Sequence, residues 1–279
     1  MLLVRLLIKS APAAARTPRF GRVIWADEGP QTVELLSGSP LDGSAEPTGE
    51  CIPYTPDVWQ ADPDASPVEL LWPVVPSKII GVGSNYRNHA REMGKPIPDE
   101  PILFLKPPSA LLAPGRPIVR PVGYQRVDYE GELAVVIGKR LAKKSPEQVA
   151  DYILGYTVLN DVSVRDLQKK DGQFTRAKGF DSFCPMGPAV ATSFDPSRLR
   201  LTTHKNGSLV QDSQGDELVF SVFQLLSFAS HVMTLEPGDV LTTGTPAGVG
   251  NLVPGDVVEI NIAGIGTLRN PVVGPEIIQ

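Results

Sequence analysis

Tyr129-Glu-Gly-Glu-Leu-Ala-Val-Val-Ile-Gly138 contains the clearest strand of the chain, which directly follows two closely spaced acidic residues. In a strand, residues i and i+2 point to the same face, so Glu130 and Glu132 project together at the edge of a very apolar segment. Two like charges this close repel each other, and desolvation raises the cost. The pair therefore either reaches solvent, as is common for Glu-x-Glu, or is neutralised by cations.

Short strands and frequent turns extend along the rest of the chain, which has 28 Pro and 26 Gly among 279 residues. Further strands are predicted over residues 2–8, 22–25, 32–36, 78–83, 102–105, 117–120, 153–160, 240–243 and 257–262, and helices over residues 85–94 and 219–233. This pattern favours a mainly β fold with few helices (α+β), built around a barrel or sandwich-like core.

A stretch rich in Pro, Gly, Ser and Asp divides the chain over residues 37–77. It predicts a long irregular connection, and we place a domain boundary near residue 75. Residues 1–75 then form a small N-terminal β domain, and residues 76–279 form the main domain. Arg5 and Lys9 interrupt the apolar start of the chain, whereas a signal peptide needs ~7–15 unbroken apolar residues, so a strand is predicted there.

The composition excludes several classes of partner. A net charge of −5 and a pI of 5.3 argue against nucleic acid or an anionic membrane surface, which both need a basic patch. No stretch approaches the ~18 apolar residues of a membrane span. Cys51 and Cys184 form no C-x-x-C pair, so neither a disulfide framework nor a zinc site is supported, and a reducing, cytoplasmic setting is predicted.

Asp161 adds a third carboxylate at the end of a predicted strand. It has a plainer explanation as the cap of a helix over residues 164–168. Together with Glu130 and Glu132, however, it makes a coherent set of oxygen ligands. Three carboxylates without a Cys/His cluster suit a hard cation, Mg²⁺ or Mn²⁺, with Ca²⁺ as a further candidate.

Six blocks of sequence, in order, resemble the fumarylacetoacetate hydrolase (FAH) superfamily over roughly residues 76–273. They are Gly83-Ser-Asn-Tyr-Arg-Asn-His-Ala-Arg-Glu-Met-Gly94, Phe104-Leu-Lys-Pro-Pro108, residues 129–138, Asn160-Asp-Val-Ser-Val-Arg-Asp-Leu-Gln168, residues 177–188 and residues 234–250. The resemblance implies a mixed β-sandwich roll or barrel, usually as a homodimer. It also implies that residues 1–75 are the small N-terminal β domain of many bacterial members, with residues 1–18 as an extension.

The resemblance also assigns roles to individual residues, each of which has a simpler alternative. The implied metal ligands are Glu130, Glu132 and Asp161; the implied catalytic residues are His89, Glu92 and Lys178; and the implied substrate-binding residues are Arg165, Gln168, Lys178 and Thr245. The alternatives are a surface ion pair for His89 and Glu92, helix surface for Arg165 and Gln168, and turn positions for Lys178 and Thr245. We interpret His204, His231 and Lys106 as structural.

The implied substrate is a small 2-oxo acid that reacts through a metal-bound enolate. Our first hypothesis is hydrolysis of a C–C bond in an acylpyruvate or fumarylpyruvate, because the His89–Glu92 pair is complete. Oxaloacetate decarboxylation and isomerisation of a 2-hydroxyhepta-2,4-diene-1,7-dioate are the alternatives, followed by a non-catalytic binding protein. Ser84 stands where relatives often have a basic or bulky residue, which puts a preference for dicarboxylates in doubt unless Arg87 or Arg91 substitutes.

Overall fold

The structure is a computed structural model, and it describes residues 1–10, 16–25, 31–94 and 96–275. Residues 11–15, within the predicted N-terminal extension, and residues 276–279, at the end of the predicted main domain, lie outside the described residues. The strands are β1 (Leu2–Ile8), β2 (Arg19–Ile24), β3 (Thr32–Leu36), β4 (Pro47–Pro53), β5 (Val68–Leu70), β6 (Ile79–Gly83), β7 (Ile102–Lys106), β8 (Leu111–Leu112), β9 (Ile118–Val119), β10 (Val127–Tyr129), β11 (Gly131–Ile137), β12 (Ile153–Asn160), β13 (Ser163–Val164), β14 (Cys184–Ala191), β15 (Arg200–Lys205), β16 (Ser208–Gln214), β17 (Val240–Thr242), β18 (Gly250–Asn251), β19 (Val257–Ile262) and β20 (Gly266–Val273). The helices are α1 (Pro56–Ala61), α2 (Arg87–Glu92), α3 (Arg165–Asp171), α4 (Thr175–Lys178) and α5 (Val222–Val232). The prediction of a mainly β fold with few helices is confirmed.

Three sheets are present in the described part of the chain. A mixed 12-stranded sheet runs in the order β4-β3-β2-β1-β14-β12-β11-β17-β6-β7, with β5 paired to β1 and β8 paired to β14. A three-stranded sheet has the order β13-β10-β18, and a five-stranded sheet has the order β16-β15-β19-β20-β9. Strand β11 is buried along its whole length, as its apolar sequence predicts.

The large sheet continues across the predicted domain boundary. β1, which falls in the predicted extension, pairs with β14 of the predicted main domain, with Leu2 opposite Ala191. Val4 and Leu6 of β1 are fully buried. The boundary near residue 75 and the role of residues 1–18 stay predictions, but the first strand is an integral part of the sheet.

The prediction of an irregular connection over residues 37–77 was wrong in part, because β4, α1 and β5 lie within it. β4 forms one edge of the large sheet, and most of its side chains are exposed. Its residues therefore show no alternation of apolar and polar side chains, and proline is tolerated at such an edge. β5 has only three residues and owes its conformation to pairing with β1. Neither strand has a local sequence signal.

Pairing of β11 with β12 brings the acidic residues together. The two strands are antiparallel, with Gly131 opposite Asn160. The end at which the chain enters β11 is therefore the end at which it leaves β12. The amide of Asp161 donates a hydrogen bond of 2.9 Å to the carbonyl of Glu130.

No helix among the described residues is long and apolar enough to cross a membrane.

Candidate active site

The three predicted metal ligands form one buried cluster. Glu130, Glu132 and Asp161 each offer a carboxylate oxygen, and these oxygens lie within 4.8 Å of one another. Their residues are at most 4% exposed. The alternative of a solvated strand end is therefore wrong for Glu130 and Glu132, and the charges must be compensated inside the protein.

Two cations compensate Glu130. The Lys178 ammonium donates to Glu130 Oε2 at 2.8 Å and also to Asp161, while the Arg165 guanidinium donates to Glu130 Oε1. Burial by itself raises the pKa of Glu130, but Arg165 and Lys178 outweigh it and hold that pKa well below its ordinary value. Burial likewise lowers the pKa of Lys178, and Asp161 and Glu130 outweigh it, so Lys178 stays charged.

Lys106 belongs to the same cluster, although the sequence analysis set it aside as structural. Its ammonium lies 2.6 Å from Asp161 Oδ1 and 2.6 Å from the carbonyl oxygen of Lys178. Lys106 is the last residue of β7 and is 1% exposed. A signal was present, since a lysine ends an apolar strand inside one of the blocks that carry the resemblance.

Glu132 differs from its two neighbours, because no ion pair to it occurs among the described residues. It accepts a hydrogen bond of 3.0 Å from the amide of Gly244. Burial and the negative charges of Asp161 and Glu130 raise its pKa well above the ordinary value of 4.5. A buried carboxylate with this deficit of positive charge, beside two further carboxylates, fits a hard divalent cation such as Mg²⁺ or Mn²⁺.

His89 and Glu92 form a pair on the short helix α2. His89 Nδ1 lies 3.1 Å from Glu92 Oε2, and His89 is 9% exposed. The amide of Gly248 donates to both carboxylate oxygens of Glu92, at 3.1 and 3.3 Å. Glu92 is thus fixed on one side by backbone and holds the imidazole on the other. The predicted alternative, a surface ion pair, does not describe the buried histidine.

A cavity opens beside the carboxylates and collects most of the predicted site residues. Its lining comprises Val82, Gly83, Ser84, His89, Met93, Glu130, Glu132, Arg165, Gln168, Phe174, Lys178 and Thr245. Asp161 is fully buried and is bound to two lysines of the cluster. His204, on β15, and His231, on α5, are not among the lining residues. The lining therefore combines charged and polar side chains, such as Glu130 and Lys178, with apolar ones, such as Met93 and Phe174.

Arg165 connects three parts of the site. Its Nε donates to Asp128 Oδ2 at 2.7 Å, its Nη1 donates to Gln168 Oε1 at 2.8 Å, and its Nη2 donates to Glu130. Asp128 is fully buried, and it also accepts from Arg126 Nε at 2.8 Å. Asp128 stands two residues before Glu130 and was not predicted from the sequence. Arg165 and Gln168 are cavity residues rather than helix surface.

Thr245 lies at the cavity, but its hydroxyl is already engaged. It donates to the carbonyl of Gly131 at 3.0 Å and accepts from Gln211 Nε2 at 2.9 Å. The single hydroxyl proton of Thr245 is therefore used within the protein, and its role in binding substrate stays a prediction.

Neither arginine of α2 replaces a cation at position 84. Ser84 lines the cavity with a left-handed φ of 57°. Arg87 donates to the carbonyl oxygen of Leu218, and Arg91 reaches Asn88 Oδ1 at 3.4 Å on the exposed side. Among the lining residues, the arginine and lysine side chains are those of Arg165 and Lys178, and both of them bind Glu130.

Comparison with known proteins assigns the family. Residues 78–273 match the family described as fumarylacetoacetate (FAA) hydrolase C-terminal. A protein of Archaeoglobus fulgidus whose name states no activity is 54% identical over 239 residues, 86% of this chain and 94% of that protein. The mitochondrial oxaloacetate tautomerase fahd2 of Xenopus laevis is 45% identical over 221 residues, 75% of this chain and 69% of that protein. The crystal structure of 2-hydroxyhepta-2,4-diene-1,7-dioate isomerase from Mycobacterium marinum superposes with a TM-score of 0.85 at 40% identity, covering 99% of each chain. The chain belongs to the fumarylacetoacetate hydrolase family.

Proposed function

We propose that this protein is a divalent-metal-dependent enzyme that interconverts the enol and keto forms of a 2-oxo acid. The observation that carries the proposal is the charge of the buried cluster. Four carboxylates and four cations balance in and beside the cluster, namely Glu130, Glu132, Asp161 and Asp128 with Lys106, Lys178, Arg165 and Arg126. Adding a divalent cation leaves an excess of two positive charges, which matches the carboxylate and the enolate oxygen of a deprotonated 2-oxo acid.

The residues of the chain divide the chemistry between them. A bound Mg²⁺ or Mn²⁺ would act as a Lewis acid toward the carboxylate and 2-oxo oxygens. Lys178 lies beside the same carboxylates and supplies a fixed positive charge for the enolate oxygen. His89 lines the cavity, and its Nδ1 is paired with Glu92, which leaves Nε2 for proton exchange with the substrate.

The substrate loses one proton and gains one, so the reaction involves no net transfer of protons. The enol loses its O–H proton and gains a proton at C3, so the C2–C3 double bond becomes a single bond and C2–O becomes a carbonyl. A 2-hydroxy-2,4-dienoate can instead gain the proton at C5, and its remaining double bond then lies between C3 and C4. No water enters and no group leaves. The names of the Xenopus tautomerase and the Mycobacterium isomerase support this reaction more directly than hydrolysis.

Hydrolysis of an acylpyruvate is the second candidate, and the His89–Glu92 contact favours it. A histidine held by a carboxylate at 3.1 Å is suited to deprotonating a water molecule. That water would attack the 4-oxo carbonyl, and the C3–C4 bond would break with the electron pair leaving to the same enolate. The two reactions share every group of the site and differ only in what His89 deprotonates.

One panel of substrates separates these proposals. The purified protein is incubated with Mn²⁺ and with enol-oxaloacetate, a 2-hydroxyhepta-2,4-diene-1,7-dioate, acetylpyruvate or fumarylpyruvate, while absorbance follows loss of the enol and chromatography detects C–C cleavage. We expect enol loss without cleavage, abolished by EDTA and restored by Mn²⁺. Cleavage of acetylpyruvate or fumarylpyruvate as the faster reaction would replace the tautomerase proposal by hydrolysis, and cleavage of oxaloacetate would replace it by decarboxylation. Metal-dependent turnover of none of the four would refute both.

Two histidine variants sharpen the assay. His89→Ala is expected to lower kcat by about 10²–10⁴-fold, the usual contribution of a general acid–base group. His231→Ala is the matched control, since His231 lies on α5 and its Nδ1 contacts the carbonyl of Ser227 at 2.9 Å. Equal losses in the two variants would contradict the role of His89.

A further inference from the structure

Tyr129 stands next to Glu130 and contacts the loop that holds Glu92. Its hydroxyl donates a hydrogen bond of 2.9 Å to the carbonyl of Gly248. The amide of the same glycine donates to the Glu92 carboxylate. Gly248 is therefore held by Tyr129 through its carbonyl and binds Glu92 through its amide. The orientation of the Gly248 peptide groups therefore sets the position of the Glu92 carboxylate.

The backbone at Gly248 admits no other residue. Its φ is +98°, a conformation that residues with a side chain rarely adopt. A Cβ built on it would lie 2.0 Å from the carbonyl oxygen of Val210. The backbone of Val210 therefore packs closely against the loop at Gly248. Hydrogen bonds from neighbouring side chains add to this packing contact in holding the peptide groups of Gly248.

Tyr129 lies between the predicted metal site and the loop that binds Glu92. It is 3% exposed and belongs to β10, where it pairs with Gly250 of the same loop. The next residue, Glu130, binds Lys178 and Arg165. The phenol therefore connects the segment directly before the predicted ligand Glu130 to the loop whose amide binds Glu92 on α2.

We propose that Tyr129 is a positioning residue for the His89–Glu92 pair, acting through the peptide groups of Gly248. The hydroxyl fixes the loop, the loop amide fixes the Glu92 carboxylate, and the carboxylate fixes the imidazole. Tyr129 touches neither His89 nor the substrate in this scheme. Its effect on turnover rests on the proposed function, but its effect on the order of α2 does not.

The test is removal of the hydroxyl alone, in Tyr129→Phe. Loss of one hydrogen bond of this kind corresponds to about a three- to tenfold decrease in kcat. KM and Mn²⁺ affinity, measured by calorimetric titration, should stay within about twofold of wild type. Hydrogen–deuterium exchange should accelerate in peptides that cover residues 87–94 and 244–250. Tyr156→Phe is the matched control, because Tyr156 is a buried tyrosine on β12 that does not line the cavity.

A second variant distinguishes positioning from a general structural effect. In a Glu92→Ala background the chain of contacts is already broken, so adding Tyr129→Phe should cause no further loss of kcat. Multiplicative losses, or a fall in Mn²⁺ affinity that parallels the fall in kcat, would overturn the proposal. Unchanged exchange in Tyr129→Phe would overturn it as well. If the wild-type protein turned over no substrate, the proposed function would fail, and the exchange experiment would still decide the role of Tyr129.

Discussion

The ammonium of Lys106 lies 2.6 Å from the Oδ1 atom of Asp161, and both side chains are almost completely buried. Removing Lys106 takes away one of the two lysines bound to Asp161, and breaking a buried ion pair is strongly destabilising. We expect Lys106→Met to reduce the free energy of unfolding by about 3–5 kcal/mol, measured by urea denaturation with EDTA present. Mn²⁺ affinity should fall too, because Asp161 loses one of the two lysines that orient it.

An exposed ion pair provides the control for this prediction. Arg140 contacts Glu236 at 3.2 Å, and their side chains are 67% and 45% exposed. Arg140→Met should cost less than about 1 kcal/mol and leave Mn²⁺ affinity unchanged. A Lys106→Met protein as stable as Arg140→Met would show that the buried pair adds nothing to the cluster.

The sequence predicted the carboxylate cluster better than its surroundings. Glu130 and Glu132 follow from the two-residue period of a strand, but Asp161 joins them only because β11 and β12 pair in register. Lys106 and Asp128 come from other segments, and no local pattern states that their charges meet the cluster. The periodicity of a sequence shows local structure, but it does not show which distant segments pair with each other.

The same reason explains where the fold prediction succeeded. β1, β3 and β12 were predicted at their observed limits, because each is apolar and bounded by turns or polar residues. β4 was missed because it is an exposed edge whose conformation depends on β3. The homodimer, the identity of the metal and the cytoplasmic setting stay predictions, to be measured by light scattering, metal analysis and cell fractionation.

The raised pKa of Glu132 predicts how stability without metal depends on pH. Burial, with Asp161 and Glu130 adding repulsion, puts its folded-state pKa well above 4.5, the value expected when the chain unfolds. Between these two pKa values the folded state holds one more proton than the unfolded state. Stability therefore falls as pH rises through this window, by up to about 1.4 kcal/mol per pH unit.

Glu132→Gln removes this dependence. In EDTA, the variant should gain stability relative to wild type as pH rises from 5 to 8, as followed by urea denaturation. With excess Mn²⁺ the wild-type protein should become the more stable of the two, because only its carboxylate can become a ligand by losing a proton. A constant difference between the two proteins across this pH range would contradict an elevated pKa for Glu132.

The lowered pKa of Asp239, which does not line the cavity, predicts that stability depends on pH in the opposite direction. Burial raises its pKa, but hydrogen bonds from Lys78 and Ser77 outweigh it and lower the pKa below 3.8. Its carboxylate accepts from the amides of Ser77 and Lys78 at 3.0 and 3.1 Å, and from the amide of Glu236 at 2.7 Å. It thereby fixes the start of β6 against β17.

We expect Asp239→Asn to cost about 1.5–3 kcal/mol at pH 7, because bonds to a charged acceptor are lost. The contribution is present above the unfolded-state pKa and disappears as pH falls through the lower folded-state pKa, so the difference from wild type should narrow below about pH 4. Asp212→Asn is the control, since its partner Arg200 and Asp212 itself are 48% and 40% exposed. A difference that stays constant between pH 7 and pH 3 would refute the lowered pKa.

The substitution Arg165→Lys tests whether the shape of the guanidinium, or only its charge, matters beside the carboxylate cluster. Its guanidinium reaches Asp128, Gln168 and Glu130 in three directions. A lysine carries the same charge but lacks the planar fork, so it cannot serve all three at once. Arg165→Lys should therefore displace Gln168 and the Glu130 carboxylate, and kcat/KM should fall on the order of 10²-fold, as expected for misplacement of a site by about 1 Å. Arg176→Lys is the matched control, because Arg176 binds Asp171 through two hydrogen bonds on the exposed surface. If Arg165→Lys kept wild-type kcat/KM on the substrate with the fastest turnover, positive charge alone would be sufficient, and the three-way arrangement would have no role in turnover.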